Sequence, residues 1–106
     1  MNEALRASLE PVILALLGER ADHGYNLMAR IKAGTGQDLS DGSLYPALAR
    51  LEAAGKIEGR WMTPEGGRKR KVFHLTTKGR EHLERARSQW GSFADRMTMI
   101  LGLGGA

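Results

Sequence analysis

The sequence contains no cysteine. That excludes a disulfide-stapled scaffold, a Cys-ligated zinc site and thiol chemistry, and it fits a reducing, cytoplasmic setting. Long apolar runs are absent too. The longest near the N-terminus, Val12 to Leu17, is six residues, too short to cross a membrane and without a signal peptide's cleavage site. Signatures of catalysis and metal binding are missing. His23, His74 and His82 have no metal-ligand spacing to one another or to paired carboxylates, and all three read as surface or capping residues. Ser43 has no evident base. Gly102-Leu103-Gly104-Gly105 follows no strand and opens no helix, so it is not a phosphate loop. The chain therefore does not read as an enzyme and calls for no cofactor. It has no internal repeat and no low-complexity tract.

What is present is a single domain's worth of ordinary globular composition: 106 residues, 42% hydrophobic and 26% charged. The net charge of +4 is unevenly placed. Residues 1–55 hold five Lys/Arg against seven Asp/Glu, and residues 81–106 hold three of each. Residues 56–80 hold eight cations and two anions, so the whole positive excess lies there. A local basic patch on a balanced chain points to a polyanion, with nucleic acid the default partner.

Periodicity divides the chain into six elements. Leu9, Val12, Ile13, Leu16 and Leu17 share one helical stripe, with Ser8 as the expected N-cap, Pro11 in the first turn and Gly18 as the stop. A second helix is expected over about 23–33, capped by Asp22, with Tyr25, Leu27, Met28 and Ile31 apolar. A third follows Ser40-Asp41 and begins near Gly42 or Ser43. Its Leu44, Leu48 and Leu51 share one face, and it ends at Gly55. The period then becomes two. Ile57, Gly59, Trp61 and Thr63 alternate as in a half-buried strand, Pro64 to Gly67 give a turn, and Val72 to Leu75 return with Phe73 and Leu75 inward. Thr76 or Thr77 caps a last helix carrying two sevenfold series: Leu83, Trp90, Met97 and Ala86, Phe93, Ile100. That is an a/d pattern for packing along another helix. The end, Leu103 to Ala106, is expected to fray.

Three helices, a basic hairpin and a long amphipathic helix form the layout of a winged helix-turn-helix with an added C-terminal helix. The expected fold is mainly α with a small β-hairpin. Residues 1–76 would form a DNA-binding domain and residues 77–106 a dimerisation helix. In that layout the third helix enters the major groove and the wing reaches neighbouring phosphates. Opposite the leucine stripe lie Gly42, Ser43, Tyr45, Pro46, Ala49, Arg50 and Ala53. Small residues at 49 and 53 would let the backbone approach the groove floor, Ser43 and Tyr45 can donate, and Arg50 is the only cation among them. The bland alternative is that the alanines simply favour helix and Tyr45 packs on the wing. Arg68, Lys69, Arg70 and Lys71, after Gly66-Gly67, read as four cations at the hairpin tip. Trp90 is either a packing residue or half of an aromatic clamp for a flat ligand.

Five stretches carry a family resemblance: His23 to Leu27, Gly42 to Leu48, Arg50 to Glu52, Gly55 to Ile57 and Leu75 to Gly79. Together they resemble PadR-like transcriptional regulators over about residues 9–93. Gly42-Ser43-Leu44-Tyr45-Pro46-Ala47-Leu48 is the most specific piece, and the single helix after the wing resembles the short subfamily. The resemblance implies a bacterial dimeric DNA-binding repressor, often released by a small molecule. It places Ser43 and Tyr45 at DNA-touching positions and Gly67 with Arg68 to Lys71 in the wing, and the helix-face reading adds Ala49 and Arg50 to the expected DNA contacts. It places Trp90 where some short members hold flat aromatic compounds between paired tryptophans, and Phe93, one turn on, is a further expected ligand contact. The dimer contact would use Leu83, Ala86, Trp90, Phe93, Met97 and Ile100. Val72-Phe73 departs from the family, which often has two tyrosines there. The expected partners are an inverted-repeat duplex, a second copy of the chain, and a small planar aromatic molecule; no membrane is expected. Two other classes of function stay open: a winged helix that binds an acidic protein surface, and a small-aromatic-ligand protein whose DNA binding is secondary.

Overall fold

In a computed structural model, which describes residues 1–104, the chain orders as α1 (Glu3–Glu19), β1 (Asp22–His23), α2 (Gly24–Thr35), α3 (Asp41–Ala53), β2 (Ile57–Met62), β3 (Arg70–Leu75) and α4 (Thr77–Ile100). Of the end expected to fray, Gly105 and Ala106 lie outside the described residues. This is the expected winged helix-turn-helix with a long C-terminal helix.

The first helix starts earlier than its apolar stripe suggests. Asn2 is the N-cap, its side chain accepting from Leu5 N–H at 2.9 Å, and Ser8 lies well inside the helix. Leu5 extends the buried face. Pro11 thus sits mid-helix, where its ring takes away the N–H that the Ala7 carbonyl would otherwise receive. The buried stripe is Leu5, Leu9, Ile13, Leu14 and Leu17, while Val12 and Leu16 are only half-buried.

The second helix is capped by His23 rather than Asp22. The His23 Nδ1 accepts from Asn26 N–H at 3.3 Å. Asp22 is released for another task. Its carboxylate accepts from Asn26, from His23 N–H at 2.9 Å and from Arg30 Nη1 at 3.0 Å. Arg30 also donates to the Leu16 carbonyl at 2.6 Å and meets Glu19 at 3.3 Å. One guanidinium therefore joins the end of α1, the strand β1 and the middle of α2. Tyr25 leaves the expected apolar face. It lies about 200° around the helix from Leu27, and it is 75% exposed.

The third helix begins at Asp41 with Ser40 as its cap. It buries Leu44, Ala47, Leu48 and Leu51. Gly55, at φ 74°, reverses the chain into β2, and Lys56 N–H closes onto the Leu51 carbonyl at 2.9 Å.

The sheet has three strands, not two. β1 pairs with β3 (Asp22 opposite Phe73), and β3 pairs with β2 from Ile57–Leu75 to Met62–Arg70, giving the order β1-β3-β2. A two-residue strand is too short to leave a periodic signal in sequence. β2 stops at Met62, so Thr63 is in the turn, and only its first residue, Ile57, reaches the core. Trp61 is 62% exposed because the hairpin extends beyond the body it springs from. His74 is half-buried and its Nε2 is enclosed without a hydrogen-bond partner among the described residues, so it is not the free surface group expected.

Thr76 starts α4. Its Oγ accepts from Gly79 N–H at 3.0 Å, and its hydroxyl donates to the Gly55 carbonyl at 2.7 Å. Gly79 is pressed onto the Lys56 carbonyl, leaving no room for a Cβ. Only the first turns of α4 pack on α1, through Leu83. The rest projects, and the molecule measures 55 × 28 × 21 Å.

Two outcomes follow. Gly79→Ala pushes a methyl group into backbone and lowers stability by about 2 kcal/mol, whereas Gly34→Ala, which meets nothing within 4 Å on exposed α2, raises it by roughly 0.5–1 kcal/mol. Urea unfolding reads both. Burial alone would raise the Asp22 pKa, but the hydrogen bonds from Asn26, His23 N–H and Arg30 outweigh it and hold the carboxyl below its ordinary value. Its contribution is complete above the unfolded value of about 4 and is lost as pH falls through the folded value. Asp22→Asn should flatten the acid limb of the stability–pH curve, and an unchanged limb would assign acid unfolding to other groups.

Candidate nucleic-acid interface

The exposed face of α3 and the wing open onto one cleft. Its α3 wall holds Tyr45 and Ala49, its wing wall Trp61 and Phe73, and His23 to Tyr25 close one end. The cleft has a volume of about 550 Å³. Arg68, Lys69, Arg70 and Lys71 also line it, so helix and wing present their chemistry to the same space.

Tyr45 is held by an absence. A Cβ on Gly24 would stand 2.8 Å from its ring, so the bare glycine backbone is what admits the phenol at the start of α2. The residue stays 45% exposed, with the ring edge and hydroxyl lying against Gly24. Ala49 is exposed beside it, with Gly42, Pro46 and Ala53 along the same low face. Ser43 and Arg50 lie on the other flank. Ser43 Oγ is 3.2 Å from Ser40 Oγ, and Arg50 Nε meets Glu10 of α1 at 3.2 Å. The one cation of the face is therefore paired to α1, although it remains exposed.

The basic run is not a four-residue tip. The turn closes earlier, with Gly67 N–H on the Pro64 carbonyl at 2.9 Å and Gly66 at φ 70°. Arg68 and Lys69 lie in the connection, whereas Arg70 and Lys71 already belong to β3. Alternation along that strand then gives each cation a different neighbour. Lys69 Nζ lies 5.6 Å from the Trp61 ring centroid. Arg70 Nη1 lies 3.1 Å from His23 Nε2. Lys71 Nζ lies 5.5 Å from the Phe73 ring and donates to Glu52 at 2.8 Å. Among the described residues Arg68 and Lys69 make no ion pair.

Glu52 is the residue that sequence reasoning missed. It stands on α3, accepts from Lys71 of β3 with one oxygen and from Gly59 N–H of β2, at 3.1 Å, with the other. Gly59 has no side chain to obstruct this approach; a Cβ there would collide with Lys71. The hydrogen bond from Lys71, against the cost of burial and with help from Gly59 N–H, lowers the Glu52 pKa. One carboxylate thus sets the angle between the helix and both wing strands. A glutamate three residues after Ala49 looks like any solvated helix residue, and only the returning strand reveals its partner. Tyr25 and Trp61, which sequence periodicity puts on apolar faces, are exposed around the cleft.

A second groove, also about 550 Å³, runs between α1 and α4. Pro11, Val12 and Ala15 line one side, and Ala86, Trp90 and Phe93 the other. Trp90 and Phe93 are 5.9 Å apart between ring centroids and tilted by 51°. Both are more than half exposed, as is Ile100, while Ala86 and Met97 are half-buried. Leu83 differs from the other five heptad residues: it is 2% exposed, buried in the core of its own chain.

Comparison with known proteins agrees with this fold. A model of the Transcriptional regulator PadR-like family matches residues 13–85, from the middle of α1 into α4. The chain is similar to the crystal structure of a PadR-like transcriptional regulator from Bacillus cereus, with 31% identity over 99% of this chain and 100% of that one, and a TM-score of 0.86. It is similar to a PadR family transcriptional regulator from Eggerthella lenta, 28% identical over 93% of this chain and 86% of that one, with a TM-score of 0.81. It is also 45% identical, over 70% of its length, to an uncharacterized 37.1 kDa protein in transposon TN4556 of Streptomyces fradiae, and spans 20% of that protein's length.

Removing the Glu52 carboxylate should loosen the wing without unfolding the domain. Glu52→Ala costs about 0.5–1 kcal/mol, the scale of a partly exposed ion pair, and speeds hydrogen exchange at the Gly59 amide. Unchanged exchange there would show that the wing is held by its strand pairing alone.

Proposed function

The chain belongs to the PadR-like family of transcriptional regulators, and from that premise we propose that it works as a homodimeric repressor of the short type. Regulators of this family bind DNA. In the reading proposed here residues 1–76 bind the duplex and residues 77–106 pair two copies. Tyr45 and Ala49 of α3 face base edges and methyl groups in the major groove, flanked by Ser43 and Arg50. Gly67, Arg68, Lys69 and Arg70 carry the wing along the adjoining backbone, and Lys71 supports the wing from behind through Glu52. The observation that carries this reading is the shared cleft: the small-residue face of α3 and the unpaired cations Arg68 and Lys69 open in one direction. That is the arrangement a groove with flanking phosphates requires.

Dimerisation is supported by the projecting half of α4. Ala86, Trp90, Phe93, Met97 and Ile100 form an apolar stripe that their own chain leaves largely uncovered, and exposed stripes at heptad spacing associate. With so few base-reading groups, DNA shape contributes to site choice. Repression follows from occupancy of the site. A small planar aromatic molecule at Trp90 and Phe93 would act by changing how the two α4 helices meet. The acidic-protein reading has no observation that favours it over DNA.

Selection of bound duplexes from a random pool at physiological salt tests the proposal. The expected product is a palindrome whose half-sites lie about 10 base pairs apart or a multiple of that. On the selected duplex Tyr45→Ala should weaken binding roughly tenfold, the loss of one good base contact. Replacing Arg68 and Lys69 together by Ala should weaken binding to every duplex and reduce the salt slope by about 1.8. A pool that stays unenriched while binding remains salt-sensitive would remove sequence-specific regulation. Light scattering that finds one chain per particle would remove the homodimer.

A further inference from the structure

Trp61 has no part in the assignments above, yet it is the largest side chain of the wing and 62% exposed. It lies on the face of β2 shared with Ile57 and Gly59, which turns it towards α3 and into the cleft. Lys69 stands over its ring at 5.6 Å, so the free ammonium nearest the cleft is perched on the indole. Across the cleft are Tyr45 and Ala49, and Tyr25 stands at its end.

Resting on the DNA-binding reading, we propose that this cleft seats the sugar–phosphate strand between the two grooves, and that Trp61 and Lys69 grip it. The geometry of a duplex requires such a seat. Where α3 occupies a major groove and the wing lies over the next minor groove, one backbone ridge must pass between them. That ridge has two chemistries: anionic oxygens outside and apolar deoxyribose faces along its side. The cleft repeats the division, with Arg68 and Lys69 unpaired in its lining and the indole of Trp61 as a wall. The Trp61 ring packs against deoxyribose, and Lys69, steered by the ring, meets the adjoining phosphate. Trp61 therefore adds affinity for any duplex and fixes how deeply α3 enters the groove. It does not choose the sequence.

The chain carries two tryptophans, Trp61 and Trp90, which makes the seat directly visible. Duplex added to wild type should quench tryptophan emission, and Trp61→Phe, in which only Trp90 emits, should bind but lose the quench. In gel shifts Trp61→Ala should bind selected and random duplexes alike about tenfold more weakly, with the preferred sequence unchanged. Circular dichroism checks that the variant is folded; should it not be, the Trp61→Phe quench decides alone. An equal quench in Trp61→Phe, or full affinity in a folded Trp61→Ala, overturns the seat and leaves the DNA-binding reading standing. A single strand or a nucleoside monophosphate that quenches as strongly as duplex at equal concentration would make the cleft a base-stacking platform, and also overturns it. If wild type binds no duplex in any assay, both readings fall together.

Discussion

Arg30 is the point on which the architecture turns. Its side chain is 10% exposed, and its guanidinium is divided among the Leu16 carbonyl, Glu19 and the 9%-exposed Asp22. A charge that far from water is tolerable only when paired and hydrogen-bonded throughout. The pairing fixes where α1 ends, where β1 lies and how α2 is rotated. Because Asp22 is committed to Arg30, the cap of α2 passes to His23. Because β1 is fixed, β3 can pair with it, and the wing is tied to α2 as well as to α3. The position of the wing beside the exposed face of α3 is thus tied to a buried charge two elements away.

The cleft and the start of α4 both depend on small residues that permit close approach. Gly24 admits the Tyr45 ring, Gly59 admits the Glu52–Lys71 pair, and Gly79 lets α4 start against Lys56. At Gly24 and Gly59 a functional side chain occupies space that a Cβ would fill, and at Gly79 the Lys56 carbonyl does. The basic run is then differentiated by strand geometry. Four successive cations acquire separate surroundings: Arg68 makes no ion pair among the described residues, Lys69 stands on Trp61, Arg70 faces His23 and Lys71 is paired with Glu52. A count of charges cannot distinguish them, but their expected contributions to polyanion binding differ.

The same contrast separates the two ends of the molecule. The core is closed by Leu83 at the start of α4, and beyond it Trp90, Phe93 and Ile100 are more than half exposed. Pro11, placed mid-helix in α1, faces the groove beside Trp90. That end is apolar and exposed, and the cleft end is cationic. A link between them runs along α1, since Glu10 holds Arg50 of α3 while the following turn of α1 lines the Trp90 groove.

The sequence by itself determined the order of helices and wing, the leucine stripe of α3, the site of the positive charge and the family resemblance. Those features are periodic or local, and periodicity survives without coordinates. The ends of α1 and α2, the two-residue β1, and the exposure of Tyr25 and Trp61 were decided by tertiary structure. So were the pairing of Glu52 with Lys71 and of Arg50 with Glu10. Each depends on residues distant in the chain: Asp22 with Arg30, Phe73 with Asp22, Lys71 with Glu52. Sequence periodicity tells which side of an element is apolar. It does not tell where the core stops, or which charge across a turn will claim a given carboxylate, because both are set only when the elements meet.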